Sequence, residues 1–270
     1  MTALTLSQLN VFPVKSMRGM SVPRWEVGPR GLHMDRELMV VDEGGRFVTQ
    51  REEPRLALVA AEIAGDDHLL LRAPGAAPLC VPLATRSTAR VVVTVWSDSV
   101  RAEPVGAEVD AWLSGVLARP VRLVRFPIDE RRQVDLRFAR PGDQVGFADG
   151  FSFLLLSEAS LADLSARVGR PLSMARFRPN LVVAGSQPYA EDGWRRLRIG
   201  SIELELVKPC ARCVMTTIDP DTGEAGVEPL RTLAGFRKVD GKVLFGWNLL
   251  HRAAGRLQVG DRVEVVAASG

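Results

Sequence analysis

The sequence predicts a mainly β protein, β-barrel-like in two units, with a few peripheral helices. Three observations lead there. Short runs of β-branched and apolar residues recur along the chain, as at residues 91–96 and 201–207. In the second run Ile202, Leu204 and Leu206 alternate with polar residues, the period of a half-buried strand. Turn chemistry separates such runs: Asp42-Glu43-Gly44-Gly45, Gly65-Asp66-Asp67, Ser97-Asp98-Ser99 and Gly260-Asp261. Helical spacing or helix-boundary residues occur in only three places. The 270 residues suffice for one large or two ordinary domains. A charge-rich stretch at 127–145, ending in Arg140-Pro141-Gly142-Asp143, reads as an exposed loop at the junction of a first unit, 1–125, and a second, 126–270.

Residues 3–14 read as a strand ending at Pro13-Val14, after which Lys15-Ser16 opens a turn containing Gly19. Residues 25–30 lead to Gly31, and 37–41 match 46–50 as a hairpin. Residues 56–63 with 68–72, and 91–96 with 100–104, make two more. Val109, Trp112, Leu113, Val116 and Leu117 predict a helix over 106–118, followed by a strand at 121–126. In the second unit a strand at 151–156 precedes a helix that begins near Ser157, a natural cap. Ser160 and Asp163 are spaced as a capping box, Leu161, Leu164 and Val168 give its buried stripe, and Gly169-Arg170-Pro171 stops it. Residues 180–183 form a strand, and a hairpin of 195–199 and 201–207 across Gly200 delivers Cys210. Pro229 and Gly235 bound a short helix at 228–234. Strands at 243–248, 257–259 and 262–266 complete the chain, the last two as a hairpin.

Hydrophobic content of 46% and charged content of 25% are those of a soluble globular protein. No apolar run approaches the ~20 residues of a membrane span. The first residues lack the basic-then-apolar order of a secretory signal. Three cysteines make no disulfide framework. A cytoplasmic protein with reduced thiols and no membrane contact is expected. Thirty-five basic against thirty-two acidic residues leave +3, too balanced for a nucleic-acid partner. Lysine occurs only at 15, 208, 238 and 242. His33, His68 and His251 are scattered, and neither a Ser-His-Asp order nor a glycine-rich phosphate loop is present.

One stretch stands out: Lys208-Pro209-Cys210-Ala211-Arg212-Cys213, between a run ending at Val207 and a largely β-branched run at 214–218, with Asp219-Pro220-Asp221-Thr222-Gly223 as a turn beyond. Two of the three cysteines flank an arginine on a tight connection between two strands. That charge favours thiolate, which attacks electrophiles or binds metal. A redox dithiol normally opens a helix, zinc needs more ligands than the sequence clusters, and two small buried residues need no chemistry at all. Spacing alone leaves these readings open.

Cys210-Ala211-Arg212-Cys213 followed by Thr216-Thr217 and Asp219–Gly223 resembles the signature of the MOSC family, the molybdenum cofactor sulfurase C-terminal domain proteins. Five more motifs stand in the order expected of the amidoxime-reducing members of that family, mitochondrial and bacterial. They are Asn10-Val-Phe-Pro-Val-Lys15-Ser16, Gly31-Leu-His-Met-Asp35-Arg36, Gln50-Arg51-Glu-Glu-Pro54-Arg55-Leu56, Leu156-Ser157-Glu-Ala-Ser160-Leu-Ala-Asp163-Leu164 and Arg176-Phe-Arg178-Pro179-Asn180. The resemblance implies a MOSC N-terminal β-barrel unit followed by a MOSC β-barrel domain. It also implies the molybdenum cofactor (molybdopterin), which needs a thiolate for the metal and cations and donors for its phosphate and pterin. Pyridoxal phosphate binding comes with the family as a label only.

By residue-for-residue match, Cys213 is the metal ligand and catalytic centre, and Cys210 packs beside it. Arg212 and the backbone of Ala211 cradle the cofactor. Lys15, Ser16 and Arg36 hold it from the first unit, so residues 1–36 are free to pack with the second. Arg178 and Asn180 contact the pterin. Asp149, Gly150 and residues 245–248 are weaker candidates for the same face. The implied function is reduction of small N-hydroxylated substrates, amidoximes and hydroxylamino bases. The alternatives are a cofactor-binding or sulfur-carrier protein without turnover, and an all-β interaction module with inert cysteines. The chain ends at Gly270, only Cys80 lies outside the motif, and no Gly-x-Gly-x-x-Gly fingerprint occurs. Electrons are therefore expected from a separate redox protein.

Overall fold

A computed structural model describes residues 3–65, 67–84 and 86–268. It is mostly β, with four sheets and three α-helices. The largest sheet runs Val263–Ala268, Trp194–Ile199, Ile202–Ala211, Lys242–His251, Phe153–Ser157, Leu181–Ala184, Thr5–Val11 and Met20–Ser21, with Lys238–Val239 appended to Lys242–His251. Thr5–Val11 pairs with Leu181–Ala184, so the start of the chain completes a sheet built by its second half. Leu6, Leu9, Val11, Leu181, Leu204 and Leu249 are fully buried in one cluster there. A second cluster gathers Leu38, Val40, Leu56, Leu69, Leu113 and Leu123 under the four-stranded sheet Leu38–Val41, Arg122–Arg125, Asp98–Pro104 and Val91–Val95 and the sheet Ala60–Ala64, His68–Arg72 and Leu79–Pro82.

The helices form where periodicity and boundary residues place them, at Ala107–Leu117, Glu158–Val168 and Leu230–Ala234. The second is capped by Ser157, whose hydroxyl accepts from the Ser160 amide. Ser160 and Asp163 do not form a capping box: Ser160 donates to Glu191, and Asp163 pairs with Arg167 and accepts from Tyr189. The hairpin at 60–72 forms, with Ala64 opposite His68; Asp66 of its turn lies outside the described residues.

Other pairings differ from expectation. Leu38–Val41 takes Arg122–Arg125 as its strand partner, and residues 46–50 pair with its other side more loosely, through the Val41–Phe47 bridge and the bonds from Asp42 N to Arg46 O (2.9 Å) and Val48 N to Val40 O (2.8 Å). Residues 54–58 form a 3-10 turn, with Pro54 at its start. The last two strands do not pair with each other. Gly255–Gln258 joins Arg24–Gly28, and Val263–Ala268 joins Trp194–Ile199. The loop 127–145 is not simply exposed: Val134 and Val145 are buried with Leu250, and Arg132 donates to the carbonyls of Gly146 and Ala148. No described helix is long and apolar enough to cross a membrane.

Candidate functional site

Loops from both halves of the chain enclose an open cavity of about 310 Å³. Lys15, Ser16, Arg36, Asp149, Gly150, Arg178, Asn180, Ala211, Arg212 and Cys213 all line it. The strand Thr5–Val11 ends where the Phe12 amide donates to the Asp35 carboxylate (2.8 Å) and the Arg36 amide donates to Phe12 O (2.7 Å). The Lys15 amide then donates to Leu38 O (2.8 Å), so residues 12–16 and 35–38 run side by side. Ser16, Arg36 and Arg178 have left-handed backbones, with φ of 67°, 49° and 54°. Non-glycine residues adopt that conformation at a cost of about 1 kcal/mol or more, and such strain gathers at functional sites.

The Lys15 corner is internally paired. The ammonium, 6% exposed, donates to Phe147 O (2.9 Å) and pairs with the Asp149 carboxylate. Burial lowers the pKa of Lys15; Asp149 partly restores it, and Arg132 and Arg36 lower it further. Asp149 is hemmed in by protein yet opens 67% of its side-chain surface to the cavity. Its surroundings would raise its pKa, but Lys15, with hydrogen bonds from Lys15 and Trp96, holds it well below the usual carboxylate range. Arg36 is equally engaged. It donates to Asp35 (2.6 Å), to Asn180 Oδ1 (2.9 Å) and to Arg178 O (3.1 Å), while Asn180 Nδ2 donates to Asn10 O (3.1 Å). Arg36 and Asn180 thus fasten one wall to the other. A side chain at Gly150 would meet nothing within 4 Å, so that glycine leaves open space.

The cysteine face is built differently. Strand Ile202–Ala211 continues through Cys210, past its expected end at 207. The run 214–218, expected as a strand, is instead a 3-10 turn, Val214–Thr217, entered at Cys213. The hydroxyls of Thr216 and Thr217 donate back to Cys213 O (3.0 Å) and Val214 O (2.7 Å), which satisfies those carbonyls locally and overrides the β-branched preference. The cysteines therefore join a strand to a turn. Both are free and half-buried. The arginine between them does not lower the Cys210 thiol below its ordinary pKa: burial raises it, outweighing the opposing field of Arg212.

Arg212 donates through Nε to Phe245 O (2.7 Å) and through Nη1 to Phe177 O (3.1 Å), but its Nη2 is buried without an acceptor. Arg178 bonds Met17 O through Nη1, stacks over Phe12 with 4.3 Å to the ring centre, and also has a buried Nη2 without a partner. Burial, and next the neighbouring Arg36, lower the pKa of Arg178. An unpaired buried donor costs ~1–3 kcal/mol. Two of them on one cavity, beside two thiols, ask for an anionic acceptor and a soft metal. That donor set fits the molybdenum cofactor.

Of residues 245–248, Asn248 alone lines the cavity; the Trp247 indole donates to Asp192 instead (2.9 Å). Gly246, at φ 79°, lets the chain pass Leu155 O, which an added Cβ would approach to 2.7 Å. Arg51, Arg176 and Lys208 also line the cavity. All three sat within quoted motifs without a role. Arg176 donates to Ile218 O (3.0 Å) and pairs with Asp219, tying down the turn beyond the cysteines. Trp96, whose Nε1 donates to Asp149 (3.1 Å), carried no signal in the sequence beyond its place near a hairpin tip.

The family model described as the MOSC N-terminal beta barrel domain matches residues 3–120, and that described as the MOSC domain matches residues 142–264. The chain is 38% identical to mitochondrial amidoxime-reducing component 1 of Homo sapiens over 277 residues, 96% of this chain and 82% of that one. It is 35% identical to mitochondrial amidoxime reducing component 2 of Rattus norvegicus over 280 residues, with the same coverages of 96% and 82%. It is 34% identical to molybdenum cofactor sulfurase of Danio rerio, matching 94% of this chain but 32% of that longer protein. Matched in order by both family models, and more than a third identical to relatives over most of its length, the chain belongs to the MOSC domain family.

Proposed function

We propose that this chain binds the molybdenum cofactor in the cavity between its two halves and reduces small N-hydroxylated compounds there. The carrying observation is that Cys213, Arg178 and Arg212 line one cavity, with the Nη2 atoms of both arginines buried and without a protein partner. Cys213, at the strand-to-turn junction, supplies the thiolate ligand. Arg178, Arg212 and the backbone around Ala211 take the anionic oxygens. Ser16 and the Lys15–Asp149 pair form the opposite lip, and Arg36 with Asn180 holds the walls together. When bound, the cofactor supplies the two-electron reduction of an N–O bond. The protein contributes position, cationic surroundings and partial exclusion of water. Asp149 stays ionised near neutral pH, while Cys210 stays a protonated thiol. Electrons reach the site from a separate redox protein in the cytoplasm.

The relatives' names support this reading, as does the match along nearly the whole chain. Similarity to a molybdenum cofactor sulfurase favours a second reading, a cofactor or sulfur carrier without turnover. Elemental analysis and pterin extraction on protein from a cofactor-competent host, then reduction of benzamidoxime with reduced viologen, separate the readings. Molybdenum with turnover supports the reductase. Molybdenum without turnover supports the carrier. Absence of both metal and pterin from such a preparation rejects the cofactor site.

A further inference from the structure

Resting on that reading, we infer that the site selects substrates carrying a carboxylate or phosphate away from the N-hydroxylated group, and that Arg51 and Lys208 hold this second charge. Among the described residues, seven basic side chains line the cavity against one carboxylate, Asp149. Five of the seven already have tasks. Lys15 pairs with Asp149, Arg36 with Asp35, and Arg176 with Asp219. Arg178 and Arg212 bond backbone carbonyls, and each has a further buried donor without a protein partner.

Arg51 and Lys208 differ from all of these. Among the described residues neither side chain forms an ion pair or donates to a protein acceptor. Each rests on aromatic rings instead. The Arg51 guanidinium lies 4.7 Å from the centre of the Trp96 ring. The Lys208 ammonium lies 4.7 Å from Phe138 and 5.8 Å from Phe151. A ring face attracts and orients a cation but leaves its N–H donors free. The two come from different sides. Arg51 is exposed on the N-terminal half, near enough to Asp149 to help keep it ionised. Lys208 stands on the strand that leads to Cys210.

The acids facing this pair are otherwise engaged. Asp149 accepts from Lys15 and from Trp96, which also fixes the ring under Arg51. Asp135, which feels Lys208, is held by Arg137 through an Nε contact of 3.0 Å. The positive charge is therefore uncompensated, on a cavity of about 310 Å³ that is open to solvent. A planar substrate placing its N–O group toward the cysteines would set a distal anion against these cations.

The test uses cofactor-loaded protein and two unreactive probes, benzamide and its para-carboxylate, titrated by calorimetry. The carboxylate should bind about tenfold tighter, the scale of one charge-assisted contact. That preference should fall several-fold in Arg51→Gln and in Lys208→Gln, vanish in the double variant, and shrink with added salt. The double variant should keep its molybdenum. Equal binding of the probes, a preference that survives both substitutions, or loss of molybdenum from the double variant would each overturn the inference. In turnover with reduced viologen, the KM ratio of benzamidoxime to its para-carboxylate should follow the probe ratio, and a ratio near one would count against it. Failure to reduce either amidoxime while the probe preference persists would overturn the reductase reading and leave charge selection standing.

Discussion

The two faces of the cavity are completed to different degrees. Around Lys15 the charges meet: ammonium to Asp149 and Phe147 O, Arg36 to Asp35 and Asn180. Elsewhere on the cavity, Arg212 between the cysteines and Arg178, which shares the Phe12 ring with Arg36, each keep one buried N–H without an acceptor. Buried polar groups are nearly always paired, so each exception needs an explanation. On the proposed function, the contrast separates charges that the fold itself satisfies from donors left to a ligand. Substitutions on the first should act on stability, and on the second on what the protein carries.

The largest effect expected is at Cys213. Cys213→Ser replaces a soft donor with a hard one and should lose nearly all molybdenum and activity, while Cys210→Ser retains most of both. Elemental analysis and viologen-driven turnover read this directly. Identical behaviour of the two variants would refute the ligand assignment. The melting temperature of cofactor-free Cys213→Ser should match that of the cofactor-free parent, since the thiol is half-buried and, among the described residues, forms no hydrogen bond.

Arg36 should show the opposite profile. Its side chain and that of Asp35 are 14% and 3% exposed. Arg36→Ala would leave Asp35, Asn180 and Arg178 O short of partners. Breaking a buried pair from one side costs ~3 kcal/mol or more, a drop of roughly 6–10 °C in the melting temperature of the cofactor-free chain. A variant that melts like the parent but loses its cofactor would move Arg36 to the ligand-serving face and break the contrast.

Much of this was legible in the sequence, for identifiable reasons. Helix Ala107–Leu117 followed from Val109, Leu113 and Leu117, because periodicity is local. The site residues followed from motifs that resemble those of the family, and the structure collects them on one cavity. Long-range pairing was not legible. Arg24–Gly28 and Gly255–Gln258 carry ordinary strand composition, and nothing local says that Trp25 will face Leu257. The turn at 214–217 misled because β-branching favours a strand, while the decisive bonds use threonine hydroxyls whose targets appear only once the chain folds. The burial that outweighs Arg212 at Cys210 is likewise a property of the packed strand.

The Lys15–Asp149 pair gives a smaller, pH-dependent effect. Asp149 has a folded pKa below its unfolded value of about 3.9. Its contribution is therefore present above that pH and is lost as pH falls through the folded pKa. Asp149→Asn should be less stable at neutral pH and have a shallower acid limb below about pH 4. On the alkaline side, the lowered pKa of Lys15 means the folded state sheds a proton first. Its share of stability then rises from that pKa up to the ordinary lysine value, a rise that Lys15→Met should remove. Chemical denaturation across pH measures both limbs. Parallel acid limbs in the parent and Asp149→Asn would show that the pair contributes nothing measurable.

The smallest effect is in the reactivity of Cys210, where the two faces can be compared through one thiol. Burial raises its pKa, Arg212 opposes that rise, and the more distant charge of Asp149 adds to it. In a cofactor-free Cys80→Ser/Cys213→Ser chain, only Cys210 can be alkylated. Iodoacetamide attacks through the thiolate, so near pH 8 the folded chain should react several-fold more slowly than the same chain in denaturant. Adding Arg212→Gln removes the opposing cation and should slow the reaction further. Adding Asp149→Asn removes a repelling carboxylate and should speed it slightly. The two shifts have opposite signs, which distinguishes a field effect from loosened packing, since loosening would accelerate both. If folded Cys210 reacts as fast as the denatured chain, Arg212 rather than burial governs the thiol, and the cysteine face is more polar than its packing indicates.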